Sequence, residues 1–329
     1  MRRITRSLIF FSFAAAVIPS ACRREDYSRP LAFVIVPSQD NPFFKAEAEA
    51  AAERASALGY RVRVEAHDDD AYRQDNLIDS AIAQNAAILL LDNAGADSSI
   101  SAVRRATKAG LPVFLIDRAI EANGIARAQI IADNAQGAAA VAKTFANAMS
   151  GEGEYAELLG RESDTNAQIR THGFHSILDH EPKLKMVEAQ SANWSQSEAF
   201  QKTETILQSH PNLKGIIAGN DTMALGAAAA ARGAGRKDLI IVGFDGSPDA
   251  VAAIQRGELK GTALQPAVLI ARLAVDEADR FRRTGSTGKP ERQIIPCDLV
   301  DSSNAAEFRN FEHISSGENV AAKHQPAMR

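Results

Sequence analysis

The sequence is poor in residues that several common classes of protein require. Only two cysteines, Cys22 and Cys297, occur among its 329 residues, which excludes a disulfide scaffold and a multi-cysteine zinc or iron–sulfur site. We expect Cys297 to be a buried, unreactive thiol. Lys and Arg number 37 against 41 Asp and Glu, giving a net charge of −4 and a pI near 6.0. Nucleic-acid-binding domains have a pI above ~9 and clustered cations, so we expect no nucleic-acid partner.

Residues 1–22 are predicted to be an export signal that does not belong to the fold. Arginines at positions 2, 3 and 6 precede an apolar stretch over 8–18, which has the length of a secretory signal core and is shorter than the ~20 residues of a membrane span. The small residues that end in Cys22 resemble the lipobox of bacterial lipoproteins, in which this cysteine is lipidated. Pro19 departs from that pattern, so ordinary cleavage or an uncleaved anchor stays open. We expect a periplasmic protein, with or without a lipid anchor.

Beyond residue 30, short apolar segments alternate with alanine-rich helical segments. The apolar segments predict strands over 31–36, 61–66, 87–91, 111–116, 129–132, 154–159, 185–189, 214–218, 239–243 and 261–264. Several, such as Ile88–Leu91, are apolar throughout, as is typical of strands buried on both faces of a parallel sheet. At ~150 residues per domain the length corresponds to two domains, and a second set of strand–helix units begins near Asp133. The sequence therefore predicts two doubly wound α/β domains.

Polar and aromatic side chains follow most of the predicted strands. In parallel sheets, ligands bind beyond the carboxyl ends of the strands. Carboxylates such as Asp117 accept hydrogen bonds from hydroxyl groups, guanidinium groups such as that of Arg118 donate hydrogen bonds, and aromatic rings such as Trp194 pack on the apolar faces of a sugar. Each residue alone is as readily explained as a helix cap. Their convergence at one edge favours a site for a sugar or a sugar alcohol.

Four longer motifs carry a resemblance to a known family. They are Asn-Pro-Phe-Phe at 41–44, Leu-Ile-Asp-Arg at 115–118, Asn-Asp-Thr-Met-Ala-Leu-Gly at 220–226 and Val-Gly-Phe-Asp-Gly-Ser-Pro-Asp at 242–249. Over residues 30–300 the chain closely resembles the ribose-type periplasmic sugar-binding proteins, the type I solute-binding subunits of ABC transporters. The resemblance implies two Rossmann-like lobes joined by a three-crossover hinge, which close over a sugar and deliver it to permease subunits. It also implies a monomer that uses no cofactor or metal and is not an enzyme.

The resemblance further implies lobe boundaries and binding residues. The N-terminal lobe would comprise residues 30–132 and 266–293, and the C-terminal lobe residues 133–265 and 294–312, followed by a polar tail over 313–329. The binding residues would be Asn41, Phe43, Phe44, Asp92, Asp117, Arg118, Arg161, Arg170, Trp194, Asn220, Asp245 and Gln265. Both phenylalanine rings would lie against one face of the sugar.

Three of these residues differ from the ribose-binding members of the family. Asp92 stands in place of an asparagine, Arg161 in place of an aliphatic residue, and Trp194 in place of a phenylalanine. We therefore expect a neutral pentose, hexose or short polyol other than ribose. Asp92 and Arg161 are predicted to pair across the closed cleft.

Other functions compete with sugar transport. Residues 151–156 fit a dinucleotide-binding glycine pattern, but they precede a strand, whereas that fingerprint requires the strand before the glycines. His172, His175 and His180 are interpreted as surface or helix-face histidines, because no carboxylates stand at metal-binding spacing. His-Asp-Asp-Asp at 67–70 is interpreted as a solvated loop. A LacI-type repressor shares the fold but needs a helix-turn-helix before residue 30. A protein that presents its sugar to a membrane receptor in chemotaxis or signalling has the same site residues, so this alternative stays open.

Overall fold

The computed structural model describes residues 28–314. They form two six-stranded sheets and a short two-stranded one. The predicted export signal, including Cys22, and the part of the predicted tail beyond residue 314 lie outside the described residues. Within 28–314, no helix is both long and apolar enough to cross a membrane.

The first lobe is built on a fully parallel sheet. Its strands are β1 (Leu31–Val36), β2 (Arg61–Ala66), β3 (Ile88–Leu91), β4 (Val113–Ile116), β5 (Ala128–Ala132) and β11 (Arg292–Ile295), and its helices are α1 (Pro42–Ala57), α2 (Ala71–Ala83), α3 (Ile100–Lys108) and α9 (Ala267–Thr284). The strand order is β2-β1-β3-β4-β5-β11. Strands β1 and β3, which are apolar throughout, are completely buried.

The second lobe repeats this plan with one antiparallel edge strand. Its strands are β6 (Glu152–Leu159), β7 (Lys183–Ser191), β8 (Leu213–Ala218), β9 (Ile240–Val242), β10 (Gly261–Leu264) and β12 (Asp298–Asp301), and its helices are α4 (Asn134–Ala148), α5 (Thr165–Leu178), α6 (Gln196–Ser209), α7 (Asp221–Gly233) and α8 (Pro248–Gln255). The order is β7-β6-β8-β9-β10-β12, with β12 antiparallel to β10. A 3₁₀ turn (Ala305–Glu307) and the small hairpin of β13 (Phe308–Arg309) and β14 (Glu312–His313) follow.

The two α/β lobes and the ten predicted strands are confirmed, with strand ends shifted by two residues or fewer. The chain passes between the sheets after β5, after β10 and after β11, which gives the three crossovers of the expected hinge. The lobe boundary predicted between residues 293 and 294 falls inside β11, all four residues of which pair with β5. Residues 294 and 295 therefore lie in the first sheet. His313, predicted to begin the tail, pairs with Phe308 in the hairpin.

Local sequence explains how α1 is set at the end of β1. The side chain of Asn41 accepts a hydrogen bond from the backbone N–H of Phe43 at 3.0 Å. Pro42 occupies the first turn, where its lack of an N–H group leaves no donor without a partner. Gly59 ends the helix with a φ of +90°, a conformation that glycine adopts without steric cost. Cys297 is buried, and burial raises the pKa of its thiol to about 12, so the thiol stays protonated and inert, as predicted.

His175 anchors helix α5 to the second sheet. Of the three histidines predicted from the sequence in this region, it is the one with a carboxylate beside each ring nitrogen. Its Nε2 lies 3.1 Å from Glu157 Oε2 and its Nδ1 lies 2.8 Å from Asp179 Oδ1. Thr171 donates a further hydrogen bond of 2.6 Å to Glu157. The hydrogen bond with Glu157 is the main cause that raises the pKa of His175 to about 9. The imidazole is therefore charged at neutral pH and ties the helix to β6.

We expect His175→Gln to lower the free energy of unfolding by about 1–2 kcal/mol near pH ~6, because a hydrogen bond with a charged partner contributes ~1.5–3 kcal/mol and this side chain is partly exposed. A pKa raised on folding stabilises the protein fully below the unfolded value of ~6.5, and this contribution is lost as the pH rises through about 9. Urea denaturation near pH ~6 and pH ~10 measures the difference. His172→Gln, an exposed change on the same helix, is the matched control, and an equal His175 effect at both pH values would contradict the assignment.

Candidate functional site

The carboxyl ends of the two sheets face each other, and ion pairs join the lobes across the space between them. Nε of Arg118, from the loop after β4, lies 2.8 Å from Asp164 Oδ2 in the second lobe. Nε of Arg161, from the loop after β6, lies 3.3 Å from Asp69 Oδ2 in the first lobe. The lobes are thus in direct contact at the edge where parallel sheets bind their ligands.

Arg118 is the central cation of the first lobe. Only 2% of its side chain is exposed, and its Nη1 donates a 2.8 Å hydrogen bond to Asp69. Its Nε lies 3.4 Å from Asp92 Oδ1, and its guanidinium lies 5.0 Å from the ring centre of Phe44. Burial alone would lower its pKa, but the surrounding carboxylates, led by Asp164, raise the pKa well above its usual value. Arg118 is therefore charged at every accessible pH.

The predicted pair between Asp92 and Arg161 is wrong. Asp92 is completely buried beside Arg118, whereas the Arg161 side chain is 35% exposed and pairs with Asp69. Asp92 lies deep in the cleft, directly after the buried strand β3, whereas Arg161 lies at the outer rim of the cleft. The extra acid and the extra base of this chain thus have different partners.

The prediction of a solvated loop at residues 67–70 holds for Asp68 and Asp70, which are exposed, and is wrong for His67 and Asp69. His67 is fully buried, with its Nε2 2.8 Å from the Asp92 carbonyl oxygen and its Nδ1 accepting a 3.0 Å hydrogen bond from the Asp69 N–H. Burial lowers the His67 pKa to about 4, so the ring is neutral. Burial would raise the pKa of Asp69, but the guanidinium of Arg118 outweighs it and lowers the pKa. The loop is therefore part of the cleft wall.

Arg170, on α5, is the corresponding buried cation of the second lobe. Its Nε donates to Asn134 Oδ1 at 2.7 Å, and its Nη1 donates to the Gly219 carbonyl at 2.8 Å and to Asp245 Oδ1 at 3.1 Å. The guanidinium lies 4.0 Å from the ring centre of Phe244. The aromatic ring and the carboxylate and carbonyl acceptors together hold the guanidinium in one orientation.

The indole of Trp194 lies on glycines at the ends of two neighbouring strands. A Cβ atom at Gly160, after β6, would overlap the indole, and one at Gly219, after β8, would lie 3.0 Å from it. The Nε1 donates a 3.2 Å hydrogen bond to Asp164, and the Arg170 guanidinium lies 5.2 Å from the ring. The backbone of Trp194 has a φ of +64°, which is a strained conformation for a bulky residue. Trp194 is thus fixed within the cleft, as the sequence predicts.

A chain of amides and acids connects the two lobes near the hinge. Asn166 accepts a 3.1 Å hydrogen bond from Asn134 and donates 3.4 Å bonds to the carbonyl and carboxyl oxygens of Asp117. At the second crossover, Gln265 donates to Asp245 Oδ1 at 2.9 Å, while its own Oε1 is buried and receives no hydrogen bond from the described residues. Burial raises the pKa of both Asp117 and Asp245 to about 7, so these groups titrate near neutrality.

The remaining predicted residues have more local roles. Asn41 and Asn220 cap α1 and α7 through their side-chain oxygens, which leaves each amide nitrogen as a donor. The rings of Phe43 and Phe44 meet edge to face at 86°, so both cannot lie flat against one face of a sugar. The guanidinium of Arg118 packs over the ring of Phe44. The ring of Phe43 also packs against that of Phe311 in the C-terminal hairpin, with ring centres 5.8 Å apart.

A cavity of about 900 Å³ opens between the lobes beside this cluster. Asn41, Phe44 and Asp69 line it from the first lobe, and Trp194 and Gln196 are among the residues that line it from the second lobe. Its volume falls within the range of small-molecule sites. The deeper acids and guanidinium groups are almost completely buried.

Sequence reasoning missed several residues of the cleft, and each had a local signal. Asp164 begins a helix directly after β6, which is the position that Asn41 occupies after β1. Glu47 is an acid on the apolar, buried face of α1 that also carries Phe43 and Phe44. The other residues missed are Asp69, Asn134 and Asn166.

Comparison with known proteins gives one family. The sequence profile of a family described as periplasmic binding protein domain matches residues 32–283. The chain is 56% identical over 278 residues to a D-apiose import binding protein of Paraburkholderia graminis, covering 84% of this chain and 89% of that protein. It is 31% identical over 279 residues to a ribose import binding protein of Bacillus subtilis, covering 84% and 90%.

Solved structures agree with this match. An ABC transporter periplasmic solute binding protein from Actinobacillus succinogenes, with bound D-allose, superposes with a TM-score of 0.80 at 26% identity, covering 85% of this chain and 100% of that one. The family model, the relatives and the fold therefore agree with the resemblance carried by the four sequence motifs.

We expect Gly160→Ala to displace the indole of Trp194, because the added methyl group would occupy the same space. The only tryptophan of the chain is Trp194, so its emission reports on this one site, and it should shift to longer wavelength as the ring becomes more exposed. Steady-state fluorescence of the purified protein measures the shift. Gly233→Ala, in α7 with open space around the added atom, is the matched control. An unchanged spectrum for Gly160→Ala would show that the ring does not rest on this glycine.

Proposed function

Because the chain belongs to the periplasmic binding protein family, whose matching members are sugar import binding proteins of ABC transporters, we propose that it captures a sugar between its two lobes for import. The observation that carries this proposal is the pairing of polar groups across the cleft. Arg118 pairs with Asp164 and Arg161 pairs with Asp69, so a ligand enclosed there contacts both lobes. A ligand that does so stabilises the closed arrangement.

The sugar that we propose is D-apiose, a branched five-carbon sugar. The identity of 56% with a D-apiose import binding protein, against 31% with a ribose import binding protein, supports this choice. The differences from ribose binders at Asp92 and Trp194 agree with a ligand other than ribose. Both side chains belong to the cleft, one beside Arg118 and the other between the strand-end glycines.

We assign the binding roles by the chemistry that each side chain offers. Phe44 and Trp194 line the cavity and offer apolar faces to the C–H groups of the sugar. Hydroxyl groups would bind to the carboxylates of Asp92, Asp117 and Asp245. Further hydrogen bonds to the sugar would come from two kinds of side chain, the amide groups of Asn41, Asn220 and Gln265 and the guanidinium groups of Arg118, Arg161 and Arg170. Phe43 would act through its packing on Phe44.

Several finer features of the protein belong to the same proposal. The family places the protein outside the cytoplasm, and we propose that residues 1–22 direct its export, with Cys22 as the lipid attachment point. The closed form would be recognised by permease subunits of the importer, and the protein would act as a monomer without catalysing a reaction. The relatives are named as import proteins, which supports import over presentation to a signalling receptor.

Isothermal titration calorimetry with D-apiose tests the proposed function, and D-ribose and D-allose serve as comparison sugars. We expect D-apiose to bind at least tenfold more tightly than either, and to change the Trp194 emission. Asp117→Ala should weaken D-apiose binding by more than about tenfold, because removal of a buried hydrogen-bond acceptor leaves its partners unsatisfied, which costs ~1–3 kcal/mol.

Two results would contradict the proposal. One is the absence of heat and of any stabilisation of the fold with all three sugars. The other is an equal loss of affinity in Asp97→Ala, an exposed acid in the loop after β3 that serves as the matched control for Asp117→Ala.

A further inference from the structure

Glu47 is a buried acid that the proposed binding set does not include. Its side chain is completely buried on α1. Neither of its carboxyl oxygens receives a hydrogen bond from an N–H or hydroxyl group of the described residues, and the same holds for both oxygens of Asp92. The carboxyl groups of Glu47 and Asp92 are neighbours, and the interaction between them affects the pKa of each. Two acids thus face each other in the floor of the cleft.

The charges around this pair do not suffice to hold two carboxylates. Arg118 is the nearby cation, with its Nε 3.4 Å from Asp92, and Asp69 and Asp164 already share its charge. Asp117 adds a further acid that faces Glu47, and His67, which contacts Asp92, is neutral. Arg161, at the rim of the cleft, pairs with Asp69 and not with either of these two acids.

The elements packed against α1 offer no other cation to Glu47. Strand β1 has no charged residue. On β2, Arg61 donates a hydrogen bond to the Arg29 carbonyl and Arg63 pairs with Glu65. On α9, Arg272 pairs with Glu312, Arg282 donates a hydrogen bond to the Tyr60 hydroxyl, Arg283 pairs with Asp279, and Arg280 is exposed. Two buried carboxyl groups in contact cannot both ionise unless cations compensate them. Burial, the largest cause in each case, raises the pKa of both Glu47 and Asp92 well above the usual range.

We propose that Glu47 and Asp92 hold one proton between them, and that Glu47 is a positioning residue that fixes the Asp92 carboxyl group for the bound sugar. This inference rests on the proposed function, because it assigns a further determinant of the same site. The shared proton satisfies one oxygen of each acid. It leaves the other Asp92 oxygen beside Arg118 to accept a hydrogen bond from a sugar hydroxyl. Without the proton, repulsion between the two carboxylates would displace Asp92.

The first test needs no sugar. Infrared difference spectra of wild type minus Glu47→Gln, recorded near pH ~8, should show the carbonyl stretch of a protonated carboxyl group, because burial raises the pKa of both acids well above the usual range. Wild type minus Asp92→Asn should show the same band. The control, wild type minus Glu277→Gln, removes a buried acid of α9 that accepts a hydrogen bond from Gln293 and should lack the band. Absence of the band from both experimental difference spectra would overturn the shared proton.

The second test measures D-apiose affinity by calorimetry from pH ~6 to ~9.5. We expect wild-type affinity to fall towards the alkaline end of this range, as the pair loses its proton. Glu47→Gln keeps a neutral hydrogen-bonding partner for Asp92, so it should bind within about threefold of wild type at pH ~7 and show no alkaline loss. Glu47→Met, of similar size without a polar group, should bind about tenfold or more weakly at pH ~7.

The outcomes separate this inference from the proposed function. Identical pH profiles for wild type and Glu47→Gln, or wild-type affinity in Glu47→Met, would overturn the positioning role of Glu47. If wild type binds no D-apiose at any pH, the proposed substrate is wrong, and the positioning role assigned to Glu47 is overturned with it. The infrared band would still decide whether the two acids share a proton.

Discussion

The guanidinium of Arg118 must have its charge balanced within the protein, and the arrangement of the cleft follows from that requirement. A buried charge without partners costs several kcal/mol, whereas a well-paired one roughly balances its lost hydration. Arg118 draws its partners from both lobes, with Asp69 and Asp92 on one side and Asp164 on the other. Separation of the lobes would replace the contact with Asp164 by water. The contact with Asp164 therefore contributes little net free energy to holding the lobes together.

Backbone strain is a second feature of the cleft. Asp69, Asp117, Trp194 and Asp245 all have φ between +55° and +121°, a conformation that costs a non-glycine residue of order 1–3 kcal/mol. Specific contacts hold these residues. Arg118 donates a hydrogen bond to Asp69, and the indole of Trp194 packs against Gly160 and Gly219. Strain of this kind is typical of binding sites. The surrounding sheets keep the side chains in place before a ligand arrives.

Features that depend on local sequence were predictable, and those that depend on pairing between lobes were not. The continuous apolar segment Ile88–Leu91 identified β3, and Asp117 and Arg118 were found because they directly follow β4. Two partners of Arg118 lie 49 residues before it, at Asp69, and 46 residues after it, at Asp164. No periodicity connects such positions. The charged tripeptide at 68–70 reads as a solvated loop unless the buried guanidinium that holds Asp69 is known, and Arg161 was matched with the wrong acid for the same reason.

The two lobes present the same elements to the space between them. The first has Arg118 on the ring of Phe44, and the second has Arg170 on the rings of Phe244 and Trp194. Each guanidinium is held by carboxylates that lie at strand ends of its own sheet, Asp92 in one case and Asp245 in the other. Each lobe thus offers aromatic surface and one ordered set of donors and acceptors, which suits one half of a polyhydroxylated ligand. Under the proposed function, the two halves of the sugar are bound together only when the lobes meet, so occupancy and closure are one event that an importer can recognise.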